Sequence, residues 1–162
     1  MCVQRPAGYT LKIMTINPEL QGRSYSLGEP YSVGRESIRD FARAVKATNS
    51  AHFFVSEAHT LGYADLVAPP TYAIIVAQRA DALLINDPDS GIDFSRVVHA
   101  EQRFTHHRPI VAGDELLAEL HVDGVRAMGG GAMITTRAEI STADGESVAT
   151  TVSAILVRGE EQ

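Results

Sequence analysis

Residues 71–85 constrain this chain more than any other stretch. Tyr72, Ala73, Ile74, Ile75, Val76, Ala77, Ala80, Ala82, Leu83 and Leu84 leave almost no polar face at helical period, and a helix apolar on every side has to be surrounded by protein. Pro69-Pro70 precede it; Pro70 fits the first turn, where a missing N–H has no partner to lose. The rest of the chain must therefore wrap it. Residues 97–104, 116–122, 134–140 and 148–157 read as strands. Leu116, Ala118, Leu120 and Val122 alternate against Leu117, Glu119, His121 and Asp123, the period of a half-buried strand. Ile134, Thr136, Ala138 and Ile140 repeat it. Ala112-Gly113-Asp114 reads as a turn and Ala143-Asp144-Gly145 as a hairpin turn. An antiparallel sheet after a helical half makes the chain α+β.

Ahead of the apolar helix, Tyr31-Ser32-Val33 is a short β-leaning run closed by Gly34. Ile38, Phe41, Ala42 and Val45 recur at i, i+3, i+4 and i+7, which predicts an amphipathic helix over 35–47. A shorter helix is expected over 56–61, with Ser56 as N-cap and Gly62 as terminator. Residues 86–93 form a polar loop.

One domain suits 162 residues. Residues 1–20 read as a loosely ordered tail without the apolar core of a signal peptide, and Met14 opens a natural start; the domain then covers 21–162. A net charge of -6 argues against nucleic acid as main partner. Cys2 is the single cysteine, so no internal disulfide and no zinc or iron–sulfur ligand set is available, and a reducing cytoplasm is the simpler reading. No apolar run is long enough for a membrane span. Gly129-Gly130-Gly131 lacks the Lys-Ser or Lys-Thr of a phosphate loop. No metal and no cofactor is expected.

The segment Val45-Lys46-Ala47-Thr48-Asn49-Ser50-Ala51-His52 resembles the active-site loop of MaoC-like (R)-specific hydratases, which reads Ser-Gly-Asp-x-Asn-Pro-(Leu/Ile)-His. Gly34 through Val45, Leu61-Gly62-Tyr63, Leu66 through Thr71, Val98 through Phe104 and Arg108 through Asp114 resemble, in the same order, the accessory A and C subunits of the mycolic-acid-pathway (3R)-hydroxyacyl-carrier-protein dehydratase. The similarity runs from about Gln21 to Val157. It implies a hot-dog fold, a sheet wrapped around one long helix. It also implies a 3-hydroxyacyl thioester substrate, carried by acyl carrier protein or coenzyme A.

In active members of that family the loop His removes the α-proton, the Asp moves proton and water at the β-carbon, and the Asn supports the loop. A backbone N–H at the start of the buried helix holds the enolate oxygen. Here the resemblance places Asn49 and His52 at the Asn and His positions. Ala47 stands where the Asp belongs, and Pro69-Pro70 stand where a His-Gly pair would be. A proline has no N–H to donate. The implied role is an accessory, substrate-binding subunit of a dehydratase in fatty-acid metabolism. Its partner would be a catalytic MaoC-like chain, or a second copy in a homodimer. Phe41, Ala47, Ala68, Pro70, Thr71 and Tyr72 are the residues expected to line the acyl channel.

Each residue has a plainer reading beside it. His52 can pad the turn after the helix, and Asn49 can end that helix. Phe41 and Tyr72 can be core. Arg35, Arg39, Arg43 and Lys46 suit an acidic carrier protein but better suit a solvated face paired with Glu36 and Asp40. His106 and His107, adjacent at a strand end, point to opposite sides and do not share a metal. Asp81 is expected to face solvent or sit in a salt bridge. A stand-alone hydratase would need His52 with another acid, Glu57 or Asp65 being nearest in sequence. A third possibility is an acyl-thioester binder that performs no chemistry.

Overall fold

The computed structural model of the protein describes residues 16–128 and 130–159; of the expected tail, 1–15 lie outside them, as does Gly129. One antiparallel sheet dominates. Its strands are β1 (Ser24–Ser26), β2 (Tyr31–Ser32), β3 (Val97–His106), β4 (Glu115–Met128), β5 (Gly131–Thr142) and β6 (Ser147–Val157). They run in the order β1-β4-β5-β6-β3, with β2 beside β4. The helices are α1 (Arg35–Ala44), α2 (Val55–Thr60) and α3 (Ile74–Ile85).

The period of two in the late strands does the wrapping. Leu116, Ala118, Leu120 and Val122 of β4, Ala132, Ile134, Ala138 and Ile140 of β5, and Val148, Ile155 and Val157 of β6 are buried. All of these but Ala132 form one cluster with Val76, Ala77, Ala80 and Leu84 of α3. Each large aliphatic side chain taken from water in this way stabilises by about 1.5–3 kcal/mol. A sheet closed over one helix is the hot-dog arrangement.

The helix is not enclosed on every side. Leu83 is 40% exposed, Gln78 and Arg79 face solvent, and Ile74, Ile75, Ala82 and Ile85 are half-buried. The apolar flank that the sequence places inside is open within a single chain. It lies toward β3, whose outer edge pairs with nothing among the described residues. Phe94 (66% exposed) and Val98 (41%) stand beside that edge. The helix also starts later than expected. Tyr72 N–H donates to Pro69 O, Ile74 to Thr71 O and Ile75 to Tyr72 O, a run of i→i+3 turns. Residue 69 is steered away from helical backbone by the proline after it.

The first helix ends at Ala44 instead of residue 47. Lys46 has φ 56, and Ala47 N–H donates to Ala42 O while Lys46 N–H donates to Arg43 O. This is a Schellman stop with a lysine at the left-handed position that favours glycine. In α2 the N-cap is Phe54, so Ser56 falls inside the helix. Ahead of residue 21, Leu20 is fully buried, and Asn17 N–H donates to Ser90 O.

Asp81 departs most from expectation. It is partly buried on α3, accepts one long hydrogen bond from Thr136 Oγ1 at 3.4 Å, and has no ion pair among the described residues. Burial pushes its pKa up to about 6, against the pull of His99 and Thr136.

Two outcomes follow. Lys46→Gly should raise the unfolding free energy by about 1 kcal/mol, because a side chain at left-handed φ costs about that much; chemical denaturation measures it. The ionised form of Asp81 is penalised in the fold, so stability is lost as pH rises from about 4 through about 6. Asp81→Asn should therefore exceed the parent by on the order of 3 kcal/mol above pH 7. The gap should close below pH 4, as followed by urea unfolding across pH.

Candidate functional site

The site begins with a turn. Asn49 Oδ1 accepts from Ala51 N–H at 3.0 Å, capping the 3-10 turn Ser50–His52. Ala51 and Ala58 are fully buried and form a small core with Val67, which anchors the turn against the segment leading to α3. His52 is thereby 93% withdrawn from solvent, at 7% exposure. Its Nδ1 lies 2.7 Å from Val67 O. A carbonyl only accepts, so Nδ1 carries the hydrogen, and in the neutral ring Nε2 keeps its lone pair. That is the tautomer a general base requires.

Residues 66–68 are held by a short antiparallel contact. Val67 bridges Val111, Ala68 N–H donates to Ile110 O at 2.8 Å, and Ala112 N–H donates to Leu66 O at 2.9 Å. Between the two segments and the His52 turn lies a cavity of about 450 Å³. Asn49, His52, Tyr63, Val67, Ala68, Pro69 and Pro70 line one side, and His106, His107, Arg108, Pro109 and Ile110 the other. His106 Nε2 donates to Pro70 O at 2.6 Å, tying the end of β3 to the entry of α3. Arg108 is clamped by both oxygens of Asp114, at 2.8 and 3.0 Å, and by Glu146 at 3.0 Å. It shapes the rim with its charge already answered.

Four expected residues meet here: Asn49, His52, Ala68 and Pro70. Four do not line the cavity. Phe41 packs edge-on against Tyr72, ring centroids 5.3 Å apart. Tyr72 is fully buried, its hydroxyl 2.7 Å from Ser37 Oγ and 3.1 Å from Tyr31 Oη, and burial drives its phenol pKa strongly upward. Ala47 follows the α1 stop and is half-buried, and Thr71 is exposed. Tyr63, His106, His107 and Arg108 line the cavity without having been expected there. Polar residues packed before Pro109 were the available signal. His107 Nε2 lies 3.1 Å from Thr150 Oγ1.

Among the described residues no carboxylate lines this cavity. Asp65 is held by Arg35 at 2.9 and 2.7 Å and by Leu66 N–H at 2.6 Å. The guanidinium keeps Asp65 below the usual carboxylate range. Glu57 is exposed, with Ser50 Oγ at 3.4 Å. The backbone is equally short of donors: Ala68 N–H is spent on Ile110, and Pro69 and Pro70 have none. The first amide past the prolines is Thr71 N–H, which makes no backbone hydrogen bond among the described residues. On α1, Arg39 pairs with Glu36 and Arg43 with Asp40, so the basic stripe is a largely neutralised face.

A family model described as FAS1-like, dehydratase domain region, matches residues 19–151. The UPF0336 protein of Leifsonia xyli subsp. xyli is 49% identical over 149 residues, covering 92% of this chain and 100% of its own. That of Clavibacter michiganensis is 48% identical over 148 residues, covering 91% and 99%. A chain of the C-terminally truncated HadBC (3R-hydroxyacyl-ACP dehydratase) complex from Mycobacterium tuberculosis superposes with TM-score 0.77 at 34% identity, covering 85% of this chain and 96% of its own. The R-hydratase PhaJ1 from Pseudomonas aeruginosa, at 17% identity, shares the fold with TM-score 0.64, covering 86% of this chain and 83% of its own. A helix wrapped by a sheet, a histidine turn at its entry and a family match over most of the length agree: the chain belongs to the FAS1-like, dehydratase-domain-region family, with the UPF0336 proteins and MaoC-like hot-dog dehydratases as its relatives.

Proposed function

We propose that this chain is the substrate-binding, weakly catalytic or non-catalytic subunit of a (3R)-hydroxyacyl-thioester dehydratase. It works in fatty-acid metabolism beside a MaoC-like chain with an intact Asp–His loop. The observation that carries this reading is a cavity lined by an imidazole whose Nε2 keeps its lone pair and, among the described residues, by no carboxylate. Dehydration of a 3-hydroxyacyl thioester removes a weakly acidic α-proton and expels hydroxide. One group must take the proton, another must give one to the leaving oxygen, and a donor must hold the enolate oxygen. His52 Nε2 can serve the first step only. Missing acid–base help costs on the order of 10²–10⁴-fold in rate. A missing oxyanion donor costs about 2.7–4 kcal/mol of barrier.

The open flank of α3 and the unpaired edge of β3 support a partner chain. The HadBC structure that this chain resembles is itself a complex of two different subunits. In such a pair this chain would supply wall, the partner would supply the carboxylate, and the acyl group would run between them from either acyl carrier protein or coenzyme A. The orientation of His52 favours one rival, a stand-alone hydratase that borrows its acid from outside the cavity.

The discriminating assay is hydration of crotonyl-coenzyme A by this chain alone and mixed with a MaoC-like chain carrying Asp and His. The mixture should exceed the single chain by on the order of 10²-fold or more. His52→Ala in this chain should leave the mixture within about twofold of the parent pair, as expected for a group outside the transition state. Full turnover by this chain alone, abolished by His52→Ala, would establish the rival instead.

A further inference from the structure

A second cavity, of about 250 Å³, opens between α3 and the start of β3, on the flank that the proposed partner would cover. Gln78, Asp81, Ala82 and Ile85 line it from the helix. They recur at i, i+3, i+4 and i+7, so one stripe of α3 faces it. Phe94 and Val97 line it from the approach to β3. Asp81 is the one carboxylate in the wall, and among the described residues no arginine or lysine lines it. From β5, Thr136 Oγ1 gives Asp81 a single hydrogen bond at 3.4 Å. From β3, His99 is the other titratable group of the wall.

Folding gives no reason for this carboxylate. A carboxylate among apolar walls is costly until a cation answers it, and an uncharged side chain of the same shape would suit the free chain better at neutral pH. What Asp81 matches is a group that arrives from outside. Apolar walls around one anion are complementary to a methylene stem that ends in a positive charge, the build of lysine and arginine. A cavity of roughly 150 Å³ holds benzene, so this one has room for the about five to seven non-hydrogen atoms of such a side chain. An apolar side chain would fill the walls and leave Asp81 buried without a counter-charge, and an acidic one would repel it.

We propose that the partner subunit inserts a lysine or arginine side chain into the α3–β3 cavity, its stem against Ile85, Phe94 and Val97 and its charge on the Asp81 carboxylate. This rests on the accessory-subunit reading and adds the chemistry of the surface that the partner presents. A cation beside Asp81 holds it ionised. Asp81 titrates at about 6 in the free chain, so the complex carries fewer protons there and association releases them. Affinity then rises as pH rises through about 6. An apolar side chain in the same place buries Asp81 further and holds its proton, which reverses the sign: protons are taken up and affinity falls over that range.

Calorimetric titration of the full chain with the MaoC-like chain of the hydration assay, from about pH 5 to 8 and in buffers of different ionisation enthalpy, tests it. Binding should release protons near pH 6 and tighten as pH rises. Asp81→Asn should abolish that release and weaken association at neutral pH by about 30-fold or more. His99→Gln removes the other titratable group of the wall and should leave the release in place. Proton uptake on binding, a release that survives Asp81→Asn, or an Asp81→Asn variant that binds as tightly as the parent would overturn the proposal. So would the same release on self-association of this chain, since a second copy would then supply the cation. Leu83→Asp lies on the same flank outside the cavity. If it breaks the complex and Asp81→Asn does not, the partner sits on α3 and the inserted cation alone is wrong. If the two parent chains do not associate, the accessory-subunit reading falls and the inserted cation with it.

Discussion

The distance at which the sheet closes on α3 is set by Ala77 and Ala80. Both are buried against the sheet, and neither carries more than a methyl group. Larger residues there would force the strands apart, since interiors are packed too densely to absorb the added volume. Close approach lets Leu120 and Val122 of β4 and Ile134 and Ile140 of β5 reach the helix from two adjacent strands. It also fixes the height of the segment entering α3. Once Ala68 is bonded to Ile110 and His106 to Pro70, the turn carrying His52 can rest on Val67 and nowhere else. The histidine's orientation is thus a consequence of core packing, transmitted through one carbonyl.

The same closure leaves a remainder. A sheet that ends on β3 covers α3 on one side and leaves Leu83, Phe94 and Val98 in water. A ten-residue edge strand that pairs on one side with nothing among the described residues, beside exposed apolar side chains, is costly for an isolated molecule. A second chain across that edge relieves both problems with one surface.

Period and punctuation made the architecture legible. Alternation through 116–122 and 134–140, the turn at Gly145 and the proline pair before the helix each rest on a local steric rule, and local rules survive into the fold. What escaped notice depends on distant partners. Ser24–Ser26 has too few apolar residues to announce a strand and exists because β4 offers it an edge. Lys46 ends α1 in a conformation that sequence preference assigns to glycine. Asp81 looked like a surface residue because no periodicity records that Thr136, 55 positions away, would lie above it. Of the residues that the family resemblance pointed to, Asn49, His52, Ala68 and Pro70 line the cavity, because one loop and one proline pair place them. His106, His107 and Arg108 join only through the pairing of β3 with the rest of the sheet. Phe41 and Tyr72 were drawn off into the core by their own aromatic contact.

The loop at 45–52 separates shape from chemistry. Its backbone turns through Lys46 without a glycine and still delivers Ala47 N–H to Ala42 O. Its Asn caps the next turn with an oxygen that would be occupied whether or not catalysis occurred. Its histidine is oriented by a carbonyl, not by a carboxylate. None of these contacts uses the side chain of residue 47. The loop's conformation, the imidazole's tautomer and the cavity therefore do not depend on an acid at residue 47. A chain of this fold can lack a carboxylate there and keep the cavity, which is the physical condition that the proposed division of binding and chemistry between two subunits requires.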